Sequence, residues 1–291
     1  MIDSMRETFS TKELCEAFDV SRSSYYAWKQ PKRTKRLVEE KKIIEAIKAI
    51  HSHRHMRSYG SPRMTEELKS RGFRCGRHRV ARLMREQSIF VRARKAFRPR
   101  TTKVDKTARI APNRLAKTCA PNAPGQQLVS DITYLRTKQG WLYLSIIVDL
   151  FSSAIVSWDL TDSFAAESVS RAIRKAQGNG SMQKGCLFHS DRGCQYTSDH
   201  VRKTLGQSIR QSMSAKGYCY DNAFAETCFA TIKAEMLPDS QIFESKLAAR
   251  RAVFDYIETF YNRIRRHSSL GQISPLQFLQ LYNEQRNIHL N

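Results

Sequence analysis

Three strand-like runs in quick succession, QQLVSDITYL (126–135), GWLYLSIIVDL (140–150) and SAIVSWDL (153–160), constrain the fold more than any other feature of the chain. Each is rich in β-branched and aromatic residues, and only a few polar residues separate one from the next. Connections this short join antiparallel neighbours, because a parallel crossover needs a dozen residues or more. The first run carries an acid, Asp131, among Leu128, Val129, Ile132 and Tyr134.

After these runs the pattern alternates. A helix is expected over 165–177, a strand over 186–190, a helix from about Thr197, a strand over 209–213 and a helix opening at 221–222. The order β-β-β-α-β-α-β-α is that of a ribonuclease H-like α/β sandwich, a mixed sheet with flanking helices. A strand reached through a crossover helix lies parallel beside the first strand. Asp191, just past the fourth strand, then sits next to Asp131 on the central one. The core is expected over 128–240, with a helical extension over 241–291 that includes a long amphipathic helix over 243–264.

Upstream of residue 128 the grammar is helical and basic. Residues 10–29, STKELCEAFDVSRSSYYAWK, read as two short helices about a turn at Asp19–Val20. Leu14, Ala17 and Phe18 form the apolar stripe of the first, Ser21 caps the second, and Tyr25 and Trp28 share a face there. An amphipathic helix over 38–50 closes this first unit, 1–55. A second helix-turn-helix-like unit, 56–90, has Pro62 opening one helix and 77–87 forming the other. Val80, Leu83 and Met84 face its core, leaving Arg77, Arg79 and Arg82 mainly on other faces, as candidate DNA contacts. Residues 91–127 read as a basic linker whose Arg92, Arg94, Lys95, Arg98 and Arg100 suit the phosphate backbone.

Charge follows this division. The net charge is +23, of which +19 lies in residues 1–127 and +4 in the remainder. A self-repelling concentration of this kind points to a polyanionic partner, with nucleic acid first. The seven cysteines are odd in number and form no C-x-x-C pair, which fits a reducing cytoplasm, and no apolar run reaches membrane-spanning length. His51, His53 and His55 alternate, and Cys75 and His78 follow, but no paired spacing completes a zinc site.

Phosphodiester cleavage and transfer need an attacking oxygen made more acidic and a leaving oxygen stabilised. Two hard divalent ions held by carboxylates do both. Asp131 and Asp191 are two such acids. Glu226, on the helix opened at 221–222, is the third. Phe224, Cys228, Phe229, Ile232 and Met236 cover one apolar face of that helix, and Glu226 and Lys233 share its edge seven residues apart. Asp149 competes as a ligand and is expected instead to hold the turn before Ser152.

These blocks resemble transposases of the bacterial insertion-sequence family three, among the retroviral-integrase-like DDE recombinases. SDITYL with GWLYLSIIVDLFS is similar to the family's first catalytic block, HSDRGCQYTS to its second and GYCYDNAFAETCFATIKAE to its third. YNRIRRHSSLGQISPLQF is similar to its closing segment. Asp191 and Glu226 are 35 residues apart, as the family's spacing requires. The resemblance implies that Asp131, Asp191 and Glu226 bind two Mg2+ or Mn2+ ions per site and that Lys233 contacts DNA. It also implies a bacterial, nucleoid-associated enzyme acting on element ends and target as a homo-oligomer on DNA, with the upstream-frame product as a fusion partner. A non-catalytic DNA-binding regulator and a junction-resolving nuclease of the same fold are the rival readings.

Overall fold

The computed structural model describes residues 3–29, 35–91, 110–163, 166–215, 223–238 and 240–288. The basic residues Arg92, Arg94, Lys95, Arg98 and Arg100 lie outside them.

The first helix pair forms as its sequence dictates. Ser10 and Glu13 make a reciprocal capping box that opens α1 (Thr11–Ala17). Asp19 takes a left-handed φ of 51° at the turn. The Ser21 hydroxyl accepts the Ser24 N–H at 3.1 Å at the start of α2 (Arg22–Lys29). The apolar contact differs from expectation. Leu14, Cys15 and Tyr25 are the buried residues, while Ala17 and Trp28 face solvent, Trp28 at 70% exposure. Two helices this short bury only one narrow strip, and the Tyr25 side chain fills it, its hydroxyl donating to Asp3.

The next helix, α3 (Lys35–Ser52), packs Ile43, Ile47 and Ile50 into one core with Met64 and Leu68 of α4 (Ser61–Ser70) and Val80, Leu83 and Met84 of α5 (Arg77–Glu86). The helix expected to connect the two pairs is therefore built into the second of them.

The sheet has the order β3-β2-β1-β4-β5, from β1 (Gln127–Thr137), β2 (Gly140–Asp149), β3 (Ile155–Thr161), β4 (Leu187–Ser190) and β5 (Arg210–Met213). The first three strands pair antiparallel, whereas β4 joins β1 in parallel and β5 joins β4 in parallel. Each face is covered. Leu128 and Ile147 pack with Val169 and Ile173 of α6 (Ala166–Gly178), Tyr196 of α7 (Cys194–Thr197) and Val201 of α8 (Asp199–Leu205). Val129, Leu135, Ile146 and Val148 face the other way, onto α9 (Ala223–Met236) and α10 (Lys246–Phe254). Among the described residues no helix is long and apolar enough to cross a membrane.

The expected helix over 243–264 starts later and changes pitch. The Phe243 N–H and carbonyl are spent on the end of β1, bonding Arg136 and Lys138 at 2.9 Å each. Ser245 then caps α10 through the Ala248 N–H. A π-helical segment, Asp255–Tyr261, continues from α10. Its far end is tied to β3, where Asn262 bonds both the N–H and the carbonyl of Ile155. The last helix, α11 (Pro275–Ile288), lays Phe278 and Tyr282 against Phe151.

Candidate active site

The β1–β4 register determines where the first two acids meet. Val129 stands opposite His189. The same offset carried two residues further sets Asp131 level with Asp191, where β4 has just ended. Strand alternation puts Asp131 on the face of Val129 and Leu135, which is the face that α9 covers.

Both acids are half-buried. Asp131 Oδ1 accepts the Ile132 N–H at 2.8 Å, and Asp191 Oδ1 accepts the Gly193 N–H at 2.9 Å. Burial pushes the Asp191 carboxyl above the ordinary aspartate range, and the Gly193 N–H only partly opposes it. Gly193 also leaves the room this acid needs, since a Cβ there would lie 3.0 Å from Asp191 Oδ1. Tyr196 of α7 is wholly enclosed, its hydroxyl 2.9 Å from the hydroxyl of Ser130, the neighbour of Asp131 on β1. Burial drives the Tyr196 phenol well above its usual value, and the negative charges of Asp131 and Asp191 both push the same way. One buried phenol thus senses both carboxylates.

Helix α9 brings a cation to the same place. Burial lowers the Lys233 ammonium and the Asp131 charge opposes that shift, so this edge of α9 lies over Asp131. Glu226 lies in the first turn of α9. Seven residues separate it from Lys233, which returns it to the same edge about two turns, or ~10 Å, along the axis. The expected apolar face holds for Cys228, Phe229, Ile232 and Met236, while Phe224 at the end of the helix is 36% exposed.

Asp149, the competing acid, is occupied by its turn. It accepts the Gly125 N–H at 3.0 Å, the Ser152 N–H at 2.9 Å and the Ser152 hydroxyl at 2.6 Å. The three arginines of α5 divide. Arg77 is exposed. Arg82 bridges Glu40 and Glu86 at 2.7 Å each, and Arg79 lies 3.4 Å from Glu40. Of these histidines His55 goes to packing, its ring stacked on Phe260 and its Nε2 2.8 Å from Asp255, while His53 and His78 are exposed.

Tyr196, Gly193 and Glu235 were missed by sequence reasoning. The first two stand inside the HSDRGCQYTS block beside Asp191, where adjacency was the only available signal. Glu235 reads as one more exposed helix acid, and its partners are 21 to 172 residues away.

Comparison with known proteins shows the family to which the chain belongs. The integrase core domain family matches residues 121–219 and 207–275, and an HTH-like domain family matches 38–97. These matches place the chain among polynucleotidyl transferases that cut and join DNA, with a DNA-binding domain ahead of the catalytic core. The uncharacterized 31 kDa protein of insertion element IS600 from Shigella sonnei is 39% identical over 93% of this chain and 99% of its own length. Transposase InsF for insertion sequence IS3A of Escherichia coli strain K12 is 35% identical over 95% of this chain and 96% of its own. The chain belongs to the IS3-family InsF transposases. Among solved structures, a chain of the simian T-cell lymphotropic virus intasome aligns over 80% of this chain and 74% of its own length, at 14% identity and a TM-score of 0.46.

Proposed function

We propose that Asp131, Asp191 and Glu226 together hold two divalent ions, Mg2+ or Mn2+, and that this site nicks an element end and joins the freed 3′-hydroxyl to target DNA. The observation that supports the reading is the parallel β1–β4 register, which sets Asp131 level with Asp191 just past the end of β4, with Lys233 of α9 near Asp131. The donor set fits hard cations, which take carboxylate oxygens. A half-buried Asp191 whose charge burial disfavours is a poor structural acid and a suitable ligand. Bound there, paired ions would acidify the attacking oxygen and stabilise the leaving one.

The remaining work falls to the chain. Gly193 admits the Asp191 carboxylate at close range and fixes it with an N–H. Tyr196 and Ser130, paired through their hydroxyls, close the opposite face of β1 to water. Lys233 supplies a positive charge for a DNA phosphate at the rim. Arg77 on α5, with Arg92, Arg94, Lys95, Arg98 and Arg100, binds the element end. Arg79 and Arg82 have a second use, holding α5 against α3 through Glu40. The active form is a homo-oligomer on element-end and target DNA, and fusion to the upstream-frame product supplies its natural partner.

The test is incubation of the full chain with labelled element-end DNA and Mg2+ or Mn2+. Wild type gives nicked and joined products. Asp131→Asn, Asp191→Asn and Glu226→Gln each lose product by roughly a thousandfold or more while still shifting the DNA, because ligand charge is needed for chemistry and basic residues for affinity. Near-wild-type joining by any one variant removes that residue from the ligand set.

A further inference from the structure

The acid on the opposite side of α9 has no part in the chemistry above, yet four side-chain hydrogen bonds converge on it. Glu235 is buried, with only 2% of its side chain exposed. Arg265 Nε donates to Glu235 Oε2 at 2.7 Å and an Arg265 terminal nitrogen donates to Oε1 at 2.9 Å, a forked two-point grip. The Tyr256 hydroxyl donates to Oε2 at 2.7 Å. Arg63, on α4 of the HTH-like domain, donates to Oε1 at 3.0 Å. Two donors to each oxygen saturate the carboxylate.

These donors come from distant parts of the chain. Arg265 and Tyr256 belong to the C-terminal segment, and Arg63 lies 172 residues before Glu235. The surrounding contacts repeat the arrangement. Arg57 reaches the Leu237 carbonyl just past the end of α9, and Tyr261 contacts the Cys228 thiol within it. Arg266 binds Glu67 at 2.9 Å and Ser70 at 2.6 Å, closing the C-terminal segment onto α4. Nine residues separate Glu226 from Glu235, and at ~100° per residue that puts them on opposite faces of one helix. Lys233 likewise falls away from Glu235. One face of α9 therefore serves the candidate active site, and the other is gripped by the DNA-binding domain and the C-terminal segment.

We infer that Glu235 is a positioning residue, the clamp that sets α9 in place, and that the HTH-like domain supplies one jaw of it through Arg63. Docking of the DNA-binding domain and placement of Glu226 and Lys233 are then a single event. Strand transfer depends on Arg63 even though Arg63 touches neither metal ligand nor reacting DNA. The inference rests on the reading of α9 as carrier of the third carboxylate.

Removing Glu235 strands Arg265 in the interior and risks unfolding, so the informative arm is Arg63, whose side chain retains 22% exposure. Full-length wild type, Arg63→Ala and Arg63→Lys are compared by amide hydrogen exchange without metal, by element-end DNA affinity and by strand-transfer rate at saturating end DNA. For Arg63→Ala, exchange in α9 rises roughly tenfold while β2 amides are unchanged, which marks local loosening. Its strand-transfer rate falls roughly tenfold with Kd for end DNA within about twofold, the pattern of a group that acts on the chemical step. Arg63→Lys, which restores a single charged contact to Glu235, recovers most of both effects. Unchanged α9 exchange in Arg63→Ala overturns the clamp, as does a uniform rise across all elements, or a lysine variant no better than alanine. A loosened α9 with undiminished strand transfer instead refutes α9 as the catalytic helix, and the two failures are told apart by exchange alone.

Discussion

Asp191 and Glu235 are both carboxylates withdrawn from water, and the chain treats them in opposite ways. Burial pushes the Asp191 carboxyl up, and a single N–H from Gly193 offsets only part of this. Burial acts on Glu235 in the same direction, yet the Arg265 fork, with Arg63 and Tyr256 assisting, more than offsets it and leaves the carboxyl below its ordinary range. The charge of Glu235 is completed by the protein. The charge of Asp191 is left under-compensated, which suits the ligand role proposed for it. The difference teaches how to sort these two acids: Glu235 brings side-chain partners for both oxygens, and Asp191, the proposed ligand, has a backbone N–H in their place.

The largest effect that sharpens this contrast is on stability. Glu235→Ala leaves the Arg265 guanidinium buried without its counter-charge, and the cost is about 3–5 kcal/mol, in the range for breaking a buried pair from one side. Asp191→Asn removes a charge that burial already disfavours and keeps an oxygen for the Gly193 N–H. In chelator its unfolding midpoint equals or exceeds that of wild type. Urea unfolding of both variants beside wild type is the measurement, and a destabilised Asp191→Asn of similar size would erase the distinction.

A smaller effect separates Glu235 by pH. Its folded pKa is lowered, so its charge contributes stability above the unfolded value of about 4.3 and loses it as pH falls through the lower folded value. The stability gap between wild type and Glu235→Gln is therefore full at pH 6 and shrinks progressively on acidification below about pH 4. Denaturant midpoints recorded from pH 6 down to pH 3 show this directly. A gap that stays constant through that range would mean the carboxylate charge contributes nothing.

Much of this was legible in the sequence, and its limits follow distance along the chain. Strand alternation around Asp131, the apolar run ending at Asp191 and the helix phase linking Glu226 to Lys233 are local patterns, and each element appears where its residues place it. The parallel pairing of β4 with β1 followed from the crossover helix that precedes β4, not from any one residue. Contacts across long intervals were not legible. His55 with Asp255, Tyr59 with Arg266 and Arg63 with Glu235 are each more than 170 residues apart and join stretches that read as separate segments. The long C-terminal helix was misread because its start depends on Phe243 bonding β1, a partner more than a hundred residues upstream. Tyr196 was passed over because a tyrosine in a polar block gives no sign that it will be buried against Ser130.

The same sorting extends to the arginines of α5, where the expected effect is smallest. Arg79 and Arg82 are committed to Glu40, and Arg82 also to Glu86, whereas Arg77 stands exposed in the first turn of the helix. If the rule for the acids holds for the bases, Arg77 is the phosphate contact and Arg82 a brace between α5 and α3. Each phosphate neutralised contributes about −0.9 to the slope of log affinity against log salt. Arg77→Ala should therefore flatten that slope by close to one unit on element-end DNA. Arg82→Ala should leave the slope where it was, because its guanidinium is already spent within the domain. Titrations at four or five salt concentrations with each variant decide the matter. Equal flattening by both would show that Arg82 leaves Glu40 for DNA, and that an internal partner is no barrier to a second, competing use.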